Sequence, residues 1–359
     1  MNSTNQKTTS ARANFRPILL FIALAYGWTW LWWLPAHLLF DLPQAWITPL
    51  TLVGGFGPAL AGVLIVRKNT VVETDRPLNP WGFIIGFLLA LVVIALYWFE
   101  PMDFRDPDGP LYMPKDSPLE TFIFYGFAAV LSGLVISSVV SRRPAMRNVF
   151  AGIIPDRKAL ILLLPVILFL PALLITSNIL AGWLSFEVQT PRFQQEVANW
   201  MPVMLLSIFT VAIMTGGNEE YGWRGVLQPM MQRQMSPLTA TLVIAVVWEL
   251  WHLPLVVSGF YGDGPVAGIL ILRLIIQFLF SVWLTAIYNY SHGSIFLCVI
   301  FHACMNVQIG LFFGTQFTYV LAILIVIGLI AGMKMWKRER GFVPAVMLSD
   351  LKDHNQLNG

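Results

Sequence analysis

Long apolar runs dominate this chain, and short polar stretches separate them. About ten of the runs approach or exceed the roughly 20 residues that a membrane-spanning helix needs. They are residues 16–40, 48–66, 81–99, 119–140, 160–184, 200–216, 237–257, 265–290, 295–313 and 318–336. Runs this long and this apolar are not typical of barrel strands, whose two faces alternate. The pattern therefore predicts an all-α fold, a polytopic transmembrane helix bundle with about 8–10 spans.

Composition points to the same class of protein. The chain has 359 residues, of which 57% are hydrophobic and only 11% are charged. Soluble domains carry roughly 25% charged residues, so these charges are too few to cover a soluble surface. The two cysteines, Cys298 and Cys304, lie in one apolar run and imply neither a disulfide framework nor a structural zinc site. Membrane lipid is an expected partner, and nucleic acid is not.

Charge alternates between the loops. Lys and Arg concentrate in 67–80, in 141–159 and after the last apolar run, whereas the loop 100–118 is acidic. By the positive-inside rule, the basic loops and both termini are predicted to be cytoplasmic in a cell membrane. An even number of spans fits that orientation. The first apolar run is too long for the core of a cleavable signal peptide.

Charged residues within apolar runs concentrate in the second half of the sequence. The first such cluster is Asn218-Glu219-Glu220-Tyr221-Gly222-Trp223-Arg224. On a helix Glu220 and Arg224 are four residues apart and can pair, which leaves Glu219 on a different face. A carboxylate held among apolar groups can act as a general base. The alternative is a salt-bridged helix start at the membrane interface. The surrounding stretch 217–236 mixes charged and apolar residues, so it is predicted to be interfacial or partly embedded.

Two further clusters lie inside apolar runs. His252 can be a structural hydrogen-bonding group, a base or a metal ligand. Glu249 precedes it by three residues and is expected to share its helix face and orient the imidazole. His302 and Asn306 are four apart on one face, where they can donate hydrogen bonds to an oxyanion or join neighbouring helices. Arg273 stands alone in its run and is expected to be paired or to snorkel.

The first two clusters can meet if the chain turns at Ser236-Pro237. Glu219 lies seventeen residues before Ser236 (236 − 219), and His252 lies sixteen after it (252 − 236). Two helical arms of this length extend to similar distances from the turn, about 24 Å. The spacing therefore predicts that the carboxylate and the imidazole come together.

The three clusters resemble the motifs of a known family. Glu219-Glu220-x-x-x-Arg224, Trp248-x-x-x-His252 and His302-x-x-x-Asn306 are similar, in order and spacing, to those of the CPBP family, the CAAX proteases and bacteriocin-processing enzymes also called Abi. Trp248 stands where the family usually has Phe, which replaces one aromatic ring by another. The matching region is about 200–313, and the other runs match only as generic membrane helices.

The resemblance implies an intramembrane endopeptidase that acts on a peptide or protein substrate at the membrane. Glu219 and His252 would activate the attacking water, and His302 and Asn306 would stabilise the oxyanion. Glu220 and Arg224 would be structural support that holds the motif helix. Glu219, His252 and His302 could also bind zinc with an open position for water. The same groups can work without a metal, and the sequence does not decide between the two.

The resulting organisation has five segments. They are a cytoplasmic N-terminal tail (1–15), N-terminal transmembrane helices (16–199), a CPBP-like protease core (200–313), a C-terminal transmembrane helix (314–340) and a polar tail (341–359). Two other functions are compatible with intramembrane Glu and His residues. One is a non-catalytic membrane protein, such as a bacteriocin self-immunity protein or a scaffold, and the other is a transporter. The absence of a repeated half counts mildly against a transporter.

Overall fold

The fold is known from a computed structural model that describes residues 15–69, 79–99, 118–141, 144–188, 200–214, 216–312, 314–345 and 347. All regular secondary structure in these ranges is helical, which confirms the all-α prediction. The predictions of an acidic loop and of polar tails concern mainly residues 100–117, 1–14 and 348–359, which lie outside the described residues. Arg76, Arg142 and Arg143, on which part of the orientation rests, lie outside them as well.

The described residues form fifteen α-helices. In chain order they are α1 (Arg16–Leu34), α2 (Gln44–Gly54), α3 (Gly57–Asn69), α4 (Pro80–Phe99), α5 (Pro118–Val139), α6 (Pro144–Val149), α7 (Arg157–Trp183), α8 (Trp200–Met214), α9 (Gly216–Gly222), α10 (Gln228–Gln232), α11 (Pro237–Trp251), α12 (Leu253–Val257), α13 (Val266–Tyr290), α14 (Ile295–Phe312) and α15 (Gln316–Gly332). Two π-helical turns, Pro35–Leu39 and Trp223–Leu227, extend α1 and join α9 to α10.

Four helical segments of the described chain are long and apolar enough to cross a membrane. They are Arg16–Leu39, Gln44–Arg67, Arg157–Trp183 and Val266–Tyr290. Shorter apolar helical segments accompany them, namely Pro80–Val92, Ala129–Val139, Pro237–Trp251, Ile295–Ile309 and Gln316–Gly332. The chain is therefore a multi-pass membrane protein, and the mixed lengths explain why counting apolar runs yields only a range of span numbers.

Helix α9 lies inside the bundle rather than at its edge. It packs against α3 on one side and against α14 and α8 on others, while α11 packs against α13. Residues Gly216 to Glu220 are buried, and so are all five residues of the following π turn. Of the two alternatives for 217–236, an interfacial or a partly embedded stretch, this burial favours the second for its first half. The three neighbouring helices α3, α8 and α14 cover the charged side chains of α9.

The close approach of α9 to α3 depends on a glycine. A Cβ atom added at Gly222 would lie 2.0 Å from the carbonyl oxygen of Pro58, which is backbone and cannot rotate away. Opposite it, a Cβ at Gly62 would lie 3.3 Å from the Cα of Gly222. Small residues let membrane helices approach closely in this way. The contact fixes the height of α9 in the bundle, and with it the position of Glu219.

Substitution of Gly222 by Ala should destabilise the fold, because either α3 or α9 must move. Overpacking typically costs about 1–3 kcal/mol, and a rigid neighbour makes relief harder. Thermal unfolding of the detergent-solubilised protein measures the effect. Gly27→Ala is a matched control, since a Cβ on that helical glycine meets nothing within 4 Å. Equal melting temperatures for the two variants would contradict the close packing.

The N-terminal helix is attached to α11 by polar contacts. The Trp251 indole donates to Thr29 Oγ1 at 2.8 Å, and the Trp30 indole donates to the Trp251 carbonyl at 3.0 Å. Tyr26 donates its hydroxyl to the Val247 carbonyl at 2.5 Å. One of these acceptors, the Trp251 carbonyl, lies in the last turn of α11, where helical partners run out. The first span thus supports the end of α11, where His252 lies.

Candidate active site

Helix α9 presents two adjacent glutamates to different surroundings. Glu220 is fully buried, whereas Glu219 keeps 7% of its surface exposed. Successive residues on a helix point about 100° apart, so the two carboxylates face different neighbours. Of the two, only Glu219 retains any access for a water molecule.

Glu220 is enclosed in a buried network of charges. Its Oε2 lies 3.2 Å from Arg224 Nη1, and its Oε1 lies 2.8 Å from His302 Nδ1. The expected pairing with Arg224 is present, one helical turn along. The contact with His302 was not foreseen, since the sequence separation is 82 residues. Glu220 therefore connects the first motif to the third as well as to its own helix.

Glu219 accepts hydrogen bonds from two tryptophans. The Trp248 indole donates to Glu219 Oε2 at 2.8 Å, and the Trp223 indole donates to the same oxygen at 3.2 Å. Both rings are buried, and their centroids are 6.1 Å apart. The carboxylate is thus held by neutral donors in an aromatic environment. The sequence predicted that Glu219 would lie opposite His252 across the turn at Ser236-Pro237. Its carboxylate instead bonds to Trp248, one helical turn before His252.

His252 lies at the break between α11 and α12. Its Nδ1 is 2.9 Å from the carbonyl of Trp248, and a carbonyl can only accept. Nδ1 therefore carries the proton, and in the neutral ring Nε2 keeps its lone pair. The ring is half-buried against Trp251, at 4.7 Å between centroids, and Tyr261, at 6.1 Å. Nε2 is the atom available for a base or a ligand.

His302 and Asn306 lie on α14 against the start of α9. A Cβ added at Gly216 would lie 2.6 Å from His302 Nε2 and 2.4 Å from Asn306 Nδ2. Glycine at that position lets both nitrogens approach the start of α9 closely. His302 is buried, with its ring 5.3 Å from that of Trp248, while Asn306 is exposed. The two residues share one face, and both are adjacent to the helix that carries Glu219.

The expectation that Glu249 orients His252 is wrong. Glu249 instead accepts two hydrogen bonds from Arg273, from Nε at 2.8 Å and from Nη2 at 3.1 Å. It points toward α13, because α11 packs on that helix and the helix breaks at His252. The guanidinium also lies 3.5 Å above the Tyr261 ring. Arg273 is therefore paired, one of the two alternatives that the sequence left open.

The structure does not assemble a metal-ligand set. In the part of the chain that is described, no three His, Cys, Asp or Glu side chains lie close enough together to hold a metal ion. Both histidines nevertheless have Nδ1 occupied by a backbone or carboxylate oxygen, which is the usual arrangement around ligating imidazoles. Zinc binding by Glu219, His252 and His302 stays a prediction.

Sequence reasoning missed two residues of this site, the tryptophans that hold Glu219. Trp223 lies four residues after Glu219, a spacing that places both on one helix face. That signal was available, since an indole N–H at membrane depth needs an acceptor. Trp248 replaces the Phe that is usual in the resembling family. The exchange of aromatic rings adds a donor that Phe lacks.

Comparison with known proteins gives two matches. Residues 200–308 match a family model described as type II CAAX prenyl endopeptidase Rce1-like. CAAX prenyl protease 2 of Methanococcus maripaludis is 24% identical over 259 residues, which cover 66% of this chain and 86% of that protein. The family match includes all three motifs. It confirms the CPBP resemblance for residues 200–308.

Proposed function

We propose that this protein is an intramembrane endopeptidase of the CAAX protease type. It hydrolyses a peptide bond of a membrane-associated or lipidated substrate with a water that Glu219 and His252 activate. The observation that carries the proposal is convergence on Trp248. Its indole binds Glu219, its carbonyl binds His252 and its ring faces His302. Groups from α9, α11 and α14 are thereby gathered in one apolar interior, as a hydrolase requires.

The first step is attack by water. Glu219 takes a proton from the water, and the oxygen adds to the substrate carbonyl carbon. His252 Nε2 accepts a second hydrogen bond from the same water and so orients it. A base in water-poor surroundings is effective because little solvent must reorganise around it. Glu220, whose own carboxylate is committed to Arg224 and His302, does not take part in this proton transfer.

The second step is collapse of the tetrahedral intermediate. Asn306 Nδ2 donates to the oxyanion, and His302, whose Nδ1 is bonded to Glu220, faces it with Nε2. Preorganised donors of this kind each contribute about 10²–10³-fold to rate. When the carbon–nitrogen bond breaks, the leaving amine takes the proton from Glu219. The products are a carboxylic acid and an amine, and the site returns to its starting protonation.

Two further features belong to the proposal. Both termini and the basic loops lie in the cytoplasm, following the charge asymmetry of the loops. Substrates reach the site from the membrane, because the Glu219 region is enclosed by apolar helices. The relative's name makes prenylated C-terminal peptides the first substrates to test. If zinc is bound, Glu219, His252 and His302 would hold it, and it would activate the attacking water.

The proposal is tested by incubating purified protein in proteoliposomes with prenylated and unprenylated peptides and identifying products by mass spectrometry. We expect one cut near the membrane end of a peptide. Loss of cutting with a chelator, restored by zinc, would establish the metal version. Intact peptides under all conditions, with a folded protein, would favour the non-catalytic immunity or scaffold role instead.

His252→Ala should abolish cleavage without lowering the melting temperature appreciably. Its ring is half-buried, and its one hydrogen bond in the described structure goes to a backbone carbonyl. His302→Ala should lose activity and also stability, because it removes a partner of the buried Glu220. Cleavage assays and thermal unfolding of both variants give the comparison. Parental cleavage by His252→Ala would contradict its assigned role.

A further inference from the structure

Trp248 contacts three of the four candidate catalytic residues, Glu219, His252 and His302. Besides its bonds to Glu219 and His252, its ring lies 5.3 Å from His302 and 4.6 Å from the Arg224 guanidinium. It is 1% exposed, so these contacts are formed inside the protein. A tryptophan in such a place can act as packing alone, as polar positioning, or as both. The hydrogen bond to Glu219 distinguishes these roles, because only polar positioning requires it.

The two indole donors are directed to a single oxygen of Glu219. Trp223 and Trp248 both donate to Oε2, and no donor in the described part of the chain contacts Oε1. An indole N–H only donates, and its bond to a carboxylate is charge-assisted. Fixing Oε2 from two directions fixes the plane of the carboxylate. Oε1 is then the oxygen directed to a water molecule.

We infer that Trp248 is a positioning residue, whose indole N–H holds Glu219 in the orientation that activates water. The inference rests on the proposed function, because it gives Glu219 the role of base. The shorter bond, 2.8 Å against 3.2 Å from Trp223, makes Trp248 the stronger of the two donors. Its position on α11 matters too. The same residue fixes His252 through its carbonyl, so carboxylate and imidazole are held relative to one another.

Trp248→Phe tests the inference, because it keeps an aromatic ring and removes only the N–H and the fused benzene edge. We expect kcat to fall about ten- to hundred-fold, the usual range for a hydrogen bond to a charged group. KM should stay within about twofold, since Glu219 acts on the attacking water and binds no substrate group in the ground state. A residue that served only as packing would lose no more kcat than a tryptophan of the same bundle that lies away from the site.

Trp28→Phe is the matched control. Trp28 is half-buried and donates its indole N–H, at 2.9 Å, to the Val53 carbonyl. That carbonyl keeps a second donor, the backbone N–H of Phe56 at 3.3 Å, and the Trp28 ring packs on Trp32, at 5.8 Å between centroids. Trp28→Phe should therefore lose some thermal stability, as Trp248→Phe does, but retain parental kcat. Equal kcat values for the two variants would overturn the inference.

A spectroscopic measurement tests the hydrogen bond without any substrate. In protein labelled with ¹⁵N-tryptophan and reconstituted in nanodiscs, the Trp248 indole resonance is assigned by its loss in Trp248→Phe. In Glu219→Gln this ¹H resonance should move upfield, because the acceptor loses its charge. An unmoved resonance would overturn the positioning role. Parental cleavage by Glu219→Gln would instead overturn the proposed function, whereas parental kcat in Trp248→Phe alone would overturn only the inference.

Discussion

Glu219→Gln should hydrolyse substrate about 10²–10⁴ times more slowly than the parent protein, the range that general-base catalysis contributes. Glutamine has nearly the same shape, and its carbonyl oxygen can still accept from Trp223 and Trp248. It cannot take a proton from water. The fold should therefore remain while the reaction stops. The measurement is the cleavage rate of a membrane-bound peptide, beside thermal unfolding in the same detergent.

The neighbouring glutamate provides the contrast for this prediction. Glu220→Gln changes a carboxylate that is fully buried between Arg224 and His302. It should lower stability, because the guanidinium loses its counter-charge in an apolar interior. Glu219→Gln is thus expected to lower mainly activity, whereas Glu220→Gln is expected to lower mainly stability. Similar melting of both variants, with similar residual activity, would contradict the division of roles between the two carboxylates.

Arg224→Ala should lower the free energy of unfolding by about 3–5 kcal/mol, the usual cost of breaking a buried ion pair from one side. The side chain is 0% exposed, and its guanidinium lies 4.6 Å from the Trp248 ring. Its removal leaves the Glu220 charge without its cation and opens a cavity beside the site. Thermal or denaturant unfolding in detergent measures the loss.

Two further variants make that prediction specific. Arg338→Ala removes an exposed arginine of the same chain and should change stability little. The double variant Glu220→Gln/Arg224→Ala should lose less than the sum of the single losses, because either substitution already breaks the pair. Full additivity would contradict a coupled pair, and so would a small effect of Arg224→Ala itself.

The polar side chains within apolar runs made the candidate site predictable from sequence. Ionisable groups are costly at membrane depth, so Glu219, Glu220, His252 and His302 stood out without any structure. Local spacing also predicted the Glu220–Arg224 contact, because four residues make one helical turn. Length and apolarity sufficed for the all-α membrane fold. These inferences need only helical geometry and the cost of burying charge.

Contacts between distant helices were not predictable in the same way. Glu249 lies three residues before His252 at the end of α11, yet its carboxylate bonds to Arg273 because α13 packs against this helix. The bond between Glu220 and His302 joins residues 82 positions apart. Nothing in local periodicity says which of several helices will cover a given face. The same limit applied to 217–236, where the sequence left an interfacial and a partly embedded position open. Only the packing of the helices shows that Glu220 and Arg224 pair inside the bundle.

The role of Trp248 shows a third kind of limit. In the sequence, Trp248 looked equivalent to the Phe that is usual in the resembling family, because both side chains are aromatic and largely apolar. Its indole N–H acquires meaning only when an acceptor is found, and the acceptor lies 29 residues away on another helix. A single polar atom on a large apolar side chain carries little weight in hydropathy. It nevertheless decides how the buried carboxylate is held.

The most direct test of the account is cleavage of a prenylated peptide in ¹⁸O-labelled water by the parent protein and by Glu219→Gln, both in proteoliposomes. Hydrolysis with water as nucleophile predicts one ¹⁸O atom in the new carboxyl group of the parent's product. It predicts almost no product from the variant, which should remain folded. Cleavage by Glu219→Gln at the parental rate, or product without the label, would contradict the account.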